Sequence, residues 1–425
     1  MEGRDCFRDG NKLYFDWLAV CIRVLYLDKR EESFTMEICF SKRAERIEEG
    51  IFTILNEKKE ALLREGREVF NFSVGTPDFR TPEHIIRAME AACGEPENYK
   101  YALTDRDEML DAVRMFYKKR FGVELYREQI MSLYGSQEGM AHIALVLCDP
   151  GDVVLVPNPG YPVFGMGPEL MGAKCVGYPL YEKNHFLPDF EDIEEDVARA
   201  AKFMILSYPA NPVCAVADDA FYERAIAFAK KYQIVLLHDN AYADIIYGGK
   251  VGKSFLSYPG AMEVGIEFYS LSKSYNMTGM RISFAIGNEK VIRAFKKVRS
   301  QIDYGIFLPV QYAAVAALTG PQENVLEQCR LYEERCLALC RGLRKIGWEV
   351  PDGQGTMFVW APIPSNYTSS EKFAVDLAEK AGVIVVPGTA FGSLGEGYVR
   401  IALVYPVEKI EKAVQKIWES GILEA

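Results

Sequence analysis

Several familiar signatures are missing from this 425-residue sequence. Its ten cysteines, at positions 6, 21, 39, 93, 148, 175, 214, 329, 336 and 340, form no Cys-x-x-Cys pair, and the four histidines do not cluster with them. Zinc and haem attachment therefore find no support, and no metal site is expected. Cys336 and Cys340 would share a helix face, but without a third ligand they read as core packing. Positive charge is not in excess either. The 49 lysines and arginines face 60 acidic residues, for a net charge of -11, so no basic field is present to draw in nucleic acid. No long hydrophobic run occurs near the start. The stretch Trp17 to Leu27 is broken by Arg23 and falls short of the roughly 20 residues a spanning helix needs. Neither a membrane segment nor a cleavable signal peptide is expected, and the unpaired thiols fit a reducing cytoplasm. Repeats and low-complexity linkers are also absent from the sequence.

What is present is an ordinary globular composition, 49% hydrophobic and 26% charged, with chain enough for two domains. Residues 1–35 show no clean periodicity, and Met36 opens a stretch that reads like a protein start. These 35 residues are expected to be an upstream extension, unless Trp17 and Leu18 pack against the body. A helix is expected over Arg43 to Arg64, then a loop over Ser73 to Phe79. Short apolar runs follow at Asp152 to Pro157, Phe203 to Tyr208, Ile234 to Asp239, Glu267 to Leu271 and Ile282 to Gly287. Helical patterns such as Asp219 to Tyr232 and Glu289 to Gln301 alternate with them. That alternation predicts an α/β domain with a mostly parallel sheet over residues 76–318. Beyond Leu318 the pattern predicts a long helix through Lys345, strands near Phe358 and Tyr398 to Leu403, and a closing helix from Val407. Together with residues 36–75, the segment 319–425 should form a smaller α+β domain.

Ligands of open α/β sheets bind beyond the carboxyl ends of the strands, and there the chemistry collects. Asn158-Pro-Gly-Tyr161-Pro follows one run and Pro209-Ala-Asn211-Pro another. Asp239-Asn-Ala-Tyr242 follows a third, and Ser270-Leu-Ser272-Lys273-Ser ends a fourth. Each piece alone has a plainer reading: Asp239 as a helix cap, Lys273 as a surface charge, Tyr161 as a turn aromatic. Their joint recurrence at successive strand ends favours a site. Gly135-Ser136-Gln137 opens the helical run Met140 to Leu147, where free backbone amides can meet an anion. In the stretch from Ser270 to Arg281, two hydroxyls, a lysine and an arginine are spaced to set an amine beside a phosphate anchor.

On these residues the sequence resembles the class I/II aminotransferases of the fold-type I pyridoxal 5'-phosphate (PLP) enzymes, over residues 38 to 420. Ser270-x-Ser272-Lys273 followed by Arg281 matches that family's Schiff-base signature, with Asp239-x-x-Tyr242 and Asn211-Pro212 as companions. The phrases Glu267 to Gly279 and Asp303-Tyr-Gly-Ile-Phe307 look most like the LL-diaminopimelate branch. The resemblance implies that Lys273 forms the imine with PLP and later moves the substrate proton. It implies that Asp239 keeps the pyridine nitrogen protonated. Asn211 and Tyr242 would meet the phenolic oxygen, and Tyr161 would stack on the ring. Ser136, Gln137, Ser270, Ser272 and Arg281 would hold the phosphate. Arg400, in Tyr398-Val-Arg-Ile-Ala, matches the arginine that binds the substrate α-carboxylate, with Gly75 and Asn211 beside it. For Arg400 the plainer reading is a buried ion pair. Tyr101 matches the tyrosine that reaches the phosphate of a neighbouring subunit's cofactor, which implies a homodimer with shared sites.

The sequence also departs from the family pattern. Val213-Cys214 replaces the usual Thr-Gly after Asn211-Pro212, Met280 stands before Arg281 in place of tryptophan, and Arg106 replaces a glycine near the expected dimer interface. The reaction implied is ping-pong transfer of an amino group from an L-amino acid to a 2-oxo acid such as 2-oxoglutarate. Donors in view are LL-diaminopimelate, alanine, aspartate and aromatic amino acids. A carbon-sulfur β-lyase on the same fold is the alternative, since it needs the same lysine, aspartate and arginine. A PLP-sensing regulator is disfavoured because the segment before Arg43 is too short for a helix-turn-helix domain.

Overall fold

A computed structural model describes residues 36–45, 47 and 51–424. The expectations for residues 1–35, Trp17 and Leu18 included, lie outside the described residues. The described residues fall into two units, divided after residue 48. In the first, Lys42–Glu45 is a short helix with exposed side chains. The second opens on the helix Ile51–Arg64, so the single helix expected over Arg43 to Arg64 is present as two pieces.

Twelve strands are described: β1 Phe70–Asn71, β2 Ile130–Leu133, β3 Val153–Asn158, β4 Lys174–Pro179, β5 Ala201–Ser207, β6 Val235–Asp239, β7 Gly265–Ser270, β8 Ser283–Gly287, β9 Phe358–Pro362, β10 Val383–Ile384, β11 Val386–Pro387 and β12 Tyr398–Ala402. Seven form the central sheet, in the order β2-β8-β7-β6-β5-β3-β4. The strands β7, β6, β5, β3 and β4 run parallel, while β8 is antiparallel to both neighbours. The sheet is mostly parallel and the fold is α/β, as the alternation of runs and helices predicts. Each apolar run became a strand within two residues of its expected ends. The strands β2 and β4 have no counterpart among those runs, because one is only four residues long and the other carries Gly177 and Pro179.

Both faces of this sheet are covered, as a parallel sheet requires. Along β5, Phe203 and Ile205 enter one apolar cluster while Met204 and Leu206 enter the other. The first cluster is closed by the helices Ser136–His142 and Glu289–Arg299, and the second by Asp107–Phe121 and Asp219–Tyr232. Phe268 on β7 is fully buried and lies where a Cβ on Gly139 would come within 2.8 Å of its ring. Phe268→Ala should therefore cost about 3–5 kcal/mol, read as a lower urea midpoint.

Beyond the central sheet the long helix expected through Lys345 is Glu323–Lys345, its start set by Gly320 and Pro321, which separate it from the helix Leu308–Thr319. A three-stranded antiparallel sheet, β11-β12-β9, and the parallel pair β1-β10 follow, with the helices Ser370–Ala381 and Val407–Glu419 packed on them. Among the described residues no helix is long and apolar enough to cross a membrane, and no group of three or more potential metal ligands occurs.

Candidate active site

A cavity of about 570 Å³ lies past the carboxyl ends of the central strands. Every strand on its border hands it a side chain from its own end, which is where a doubly covered sheet leaves room. Asp239 is the last residue of β6, and Ser270 the last of β7. Ser270 Oγ accepts from the Ser272 amide at 3.2 Å and so starts the single helical turn Leu271–Ser274. That turn presents Lys273 to the cavity. Asn211 comes from the loop after β5, Tyr161 from the loop after β3, and Ser136 and Gln137 from the turn after β2. The smaller sheet contributes Arg400 from β12, and the loop after β1 contributes Gly75.

The sequence-predicted residues Gly75, Ser136, Gln137, Tyr161, Asn211, Asp239, Tyr242, Ser270, Ser272, Lys273, Arg281 and Arg400 all line this one cavity. Tyr101 does not. It is 78% exposed, with its ring 4.8 Å from that of Tyr304. Arg106 is also elsewhere: its guanidinium lies 4.1 Å from the Tyr312 ring and 3.2 Å from Glu108. Thr76, Thr278 and Phe358 line the cavity without having been singled out. Thr278 sits inside the stretch from Ser270 to Arg281 and was within reach of sequence reasoning; Phe358, in a plain apolar strand, carried no such signal.

Electrostatically the cavity is unusual. Burial pushes the Asp239 carboxyl up to about 6, against the opposing pull of His238 and of the Ala241 amide. Its Oδ1 is buried with no hydrogen-bond partner among the described residues, a condition that costs free energy unless a donor arrives. Lys273 is lowered to about 8, first by burial and then by Arg400 and Arg281. Its amine donates to the carbonyl of Gly75. Arg400 is lowered to about 10 by burial. Its guanidinium donates to Asn211 Oδ1 at 2.9 Å and to the Ser73 carbonyl at 3.0 Å, and sits over the rings of Phe358 and Phe391.

At the other end, Arg281 donates to the carbonyls of Tyr134 and Thr278 at 3.1 and 3.0 Å. Gly135 has a φ of +91°, and a Cβ there would fall 2.1 Å from an Arg281 Nη, so only glycine admits the guanidinium. Ser136 Oγ is buried and without a partner among the described residues. Hydroxyls, a guanidinium and a helix start thus converge without a mutual anion. Tyr161 donates to Gln137 Oε1 at 3.0 Å.

Behind Asp239 stands a fully buried carboxylate. Glu267 accepts from the Tyr117 and Ser254 hydroxyls at 2.7 and 2.8 Å and from the Phe255 amide at 2.8 Å, and His238 Nδ1 lies 3.0 Å away. With its lone pairs so occupied, the charge can be buried and locks β6 to β7. Behind Lys273, Gln328 Nε2 donates to its carbonyl at 2.7 Å, and Ser274 Oγ donates to Asp244 Oδ2 at 2.7 Å.

A buried acid with one unpartnered oxygen, a depressed buried lysine and an anion cradle fit PLP: a cationic ring nitrogen, an aldehyde and a phosphate would satisfy them in turn. Comparison with known proteins agrees. The family described as Aminotransferase class I and II matches residues 67–417. The LL-diaminopimelate aminotransferase of Moorella thermoacetica is 45% identical over 85% of this chain and 93% of its own length. A Dehalococcoides mccartyi protein of the same name is 43% identical over 89% and 97%. Among solved structures, substrate-bound BacF from Bacillus subtilis superposes with a TM-score of 0.87 at 37% identity, covering 90% of this chain and 98% of that one. A probable N-succinyldiaminopimelate aminotransferase from Thermus thermophilus gives 0.83 at 35%, covering 87% and 100%. The strand-end constellation and these likenesses converge on one conclusion: the chain belongs to the class I and II aminotransferases and is a PLP-dependent transaminase.

Proposed function

We propose that this enzyme takes its amino group from LL-diaminopimelate and delivers it to 2-oxoglutarate, in the cytoplasm and as a homodimer. Relatives 43–45% identical over 84–89% of this chain carry that donor in their names. The observation that carries the site assignment is the meeting, in one cavity, of the Lys273 amine, the unpartnered Asp239 oxygen and the Arg400 fork.

Bound PLP supplies an aldehyde carbon for the incoming nitrogen and a ring that accepts the electron pair left at the substrate Cα. The chain's own residues do the rest. Arg400 and Asn211 orient the donor by its α-carboxylate, with the Gly75 backbone alongside. Lys273, uncharged at a much lower pH than an exposed lysine, would take the proton from the substrate Cα and later give it back as an acid. Asp239 holds a proton on the ring nitrogen. A cation there stabilises the carboxylate that burial otherwise disfavours. Asn211 and Tyr242 would hold the phenolic oxygen, and Tyr161 would cover the ring. Ser136, Gln137, Ser270, Ser272 and Arg281 fix the phosphate. Tyr101, projecting from the surface beside Tyr304, serves the cavity of the second subunit.

The test is a donor panel: purified holoenzyme with 2-oxoglutarate and LL-diaminopimelate, alanine, aspartate or an aromatic amino acid. Glutamate should form fastest from LL-diaminopimelate. Faster turnover of another donor removes the substrate assignment, and pyruvate and ammonia released from cystathionine without an oxo acid would move the enzyme to the β-lyases. Arg400→Lys should raise the donor KM with a fall of roughly 10–100-fold in kcat/KM, because a lysine cannot reproduce the bidentate fork. Initial rates over a range of donor concentrations check it.

A further inference from the structure

A second cavity, of about 870 Å³, shares no lining residue with the first. It lies between the helix Asp107–Phe121, the segment 244–252 and the first turns of the helix Glu323–Lys345. Its wall is apolar where Phe116, Ile246 and Val325 meet, and Leu326 at the rim is 71% exposed. Concave, mostly apolar walls with a few polar groups are the usual make-up of a small-molecule site. Cations outnumber acids in its lining, with Lys119, Arg120, Lys250 and Arg330 against Asp244 and Glu333. Lys119 and Lys250 are exposed and have no ion-pair or hydrogen-bond partner among the described residues. The acids, in contrast, are engaged: Asp244 by Arg120 at 3.1 Å, and Glu333 by the Gly248 amide at 3.1 Å.

We infer that this cavity binds a small organic acid with an aromatic or branched apolar body, its anionic group meeting Lys119 and Lys250 and its body resting on Phe116, Ile246 and Leu326. The unpaired cations select an anion, and the apolar wall selects its body. Occupancy also bears on the first cavity. Asp244, in the wall of this second cavity, receives Ser274 Oγ at 2.7 Å and Tyr269 OH at 2.9 Å, and these residues flank the stretch from Ser270 to Lys273. An acid that draws Arg120 away from Asp244 changes how that stretch is held. This link to turnover rests on the role proposed for Lys273; binding itself does not.

Calorimetric titration of the holoenzyme with 1-naphthoate tests the site. One equivalent per chain should bind, and the double variant Lys119→Ala/Lys250→Ala should bind about five- to tenfold more weakly. Leu326→Glu, which places a carboxylate at the rim, should weaken binding at least as much. All three positions are exposed, so transamination without naphthoate should be unchanged. No binding, as when a second copy of the chain covers the cavity, overturns the proposal, and so does equal affinity in both variants, which would put the ligand elsewhere. Naphthoate should alter turnover of the wild type, and Leu326→Glu should need at least about five- to tenfold more for the same change; tight binding with no change in turnover overturns the link through Asp244.

Discussion

Lys273→Ala should lower transamination by at least about 10³-fold, since it removes the group that moves the substrate proton. Fluorescence or visible absorbance should show PLP still retained through the phosphate cradle, but no longer covalently attached. The same residue predicts a pH signature that needs no turnover. Its amine is lowered from 10.5 to about 8, so at pH 7 about a tenth is neutral and reactive, against well under a thousandth for an exposed lysine. Covalent capture of added PLP by the apoenzyme should therefore quicken about tenfold per pH unit up to about pH 8 and then level off. Stability follows with the opposite sense to a salt bridge. A lysine whose folded value is depressed binds its proton more weakly folded than unfolded. The apoenzyme thus bears the full cost below about pH 8 and loses it as pH rises toward 10.5. Lys273→Met should make the apoenzyme more stable at pH 7, on the order of 3 kcal/mol, with the advantage gone near pH 10.5. Urea unfolding at the two pH values measures it. Equal stability of variant and wild type at pH 7 would mean that the amine is not desolvated.

Asp239→Asn should lower kcat by roughly 10²–10³-fold, the scale on which a buried preorganised charge acts, while the KM for the amino donor changes little. The asparagine keeps the shape of the side chain but cannot hold a proton on the ring nitrogen. Because Oδ1 has no partner among the described residues, the substitution breaks no internal hydrogen bond of that atom and removes a carboxylate that burial disfavours, so the apoenzyme should be more stable above about pH 6, with the gain lost as pH falls toward 3.8. A variant that folds, binds PLP and turns over at the wild-type rate would remove Asp239 from the chemistry. Substitution of Glu267 separates the two roles: it leaves the cavity lining untouched but strips His238, Tyr117 and Ser254 of their acceptor, so its damage should appear first in stability.

The strands that carry the site were legible because apolar runs of five to seven residues between helical patterns have few other interpretations. The groups after them were legible because they recur at every strand end: Tyr161, Asn211, Asp239, Lys273. Where the pattern was short or interrupted it misled. The strand Ile130–Leu133 is too brief to stand out, and the helix expected over Arg43 to Arg64 is present as Lys42–Glu45 and Ile51–Arg64. Nothing in the local pattern marked Phe358 as the ring beneath Arg400, or Asp244 as the acceptor that ties down the turn after Lys273.

Residue order alone was enough to give an α/β chain with an amine, an acid, an amide and hydroxyls delivered to one sheet edge, because side-chain periodicity and strand-end turns are short-range properties. Packing alone brought Arg400 of the small sheet within 2.9 Å of Asn211 on the large one, across 189 residues of chain. Packing also set the direction of β8 antiparallel to its neighbours and buried Asp239 Oδ1 with no hydrogen-bond partner among the described residues. Such convergence depends on which surfaces close over one another, and desolvation, which shifts both Asp239 and Lys273, exists only once they have closed.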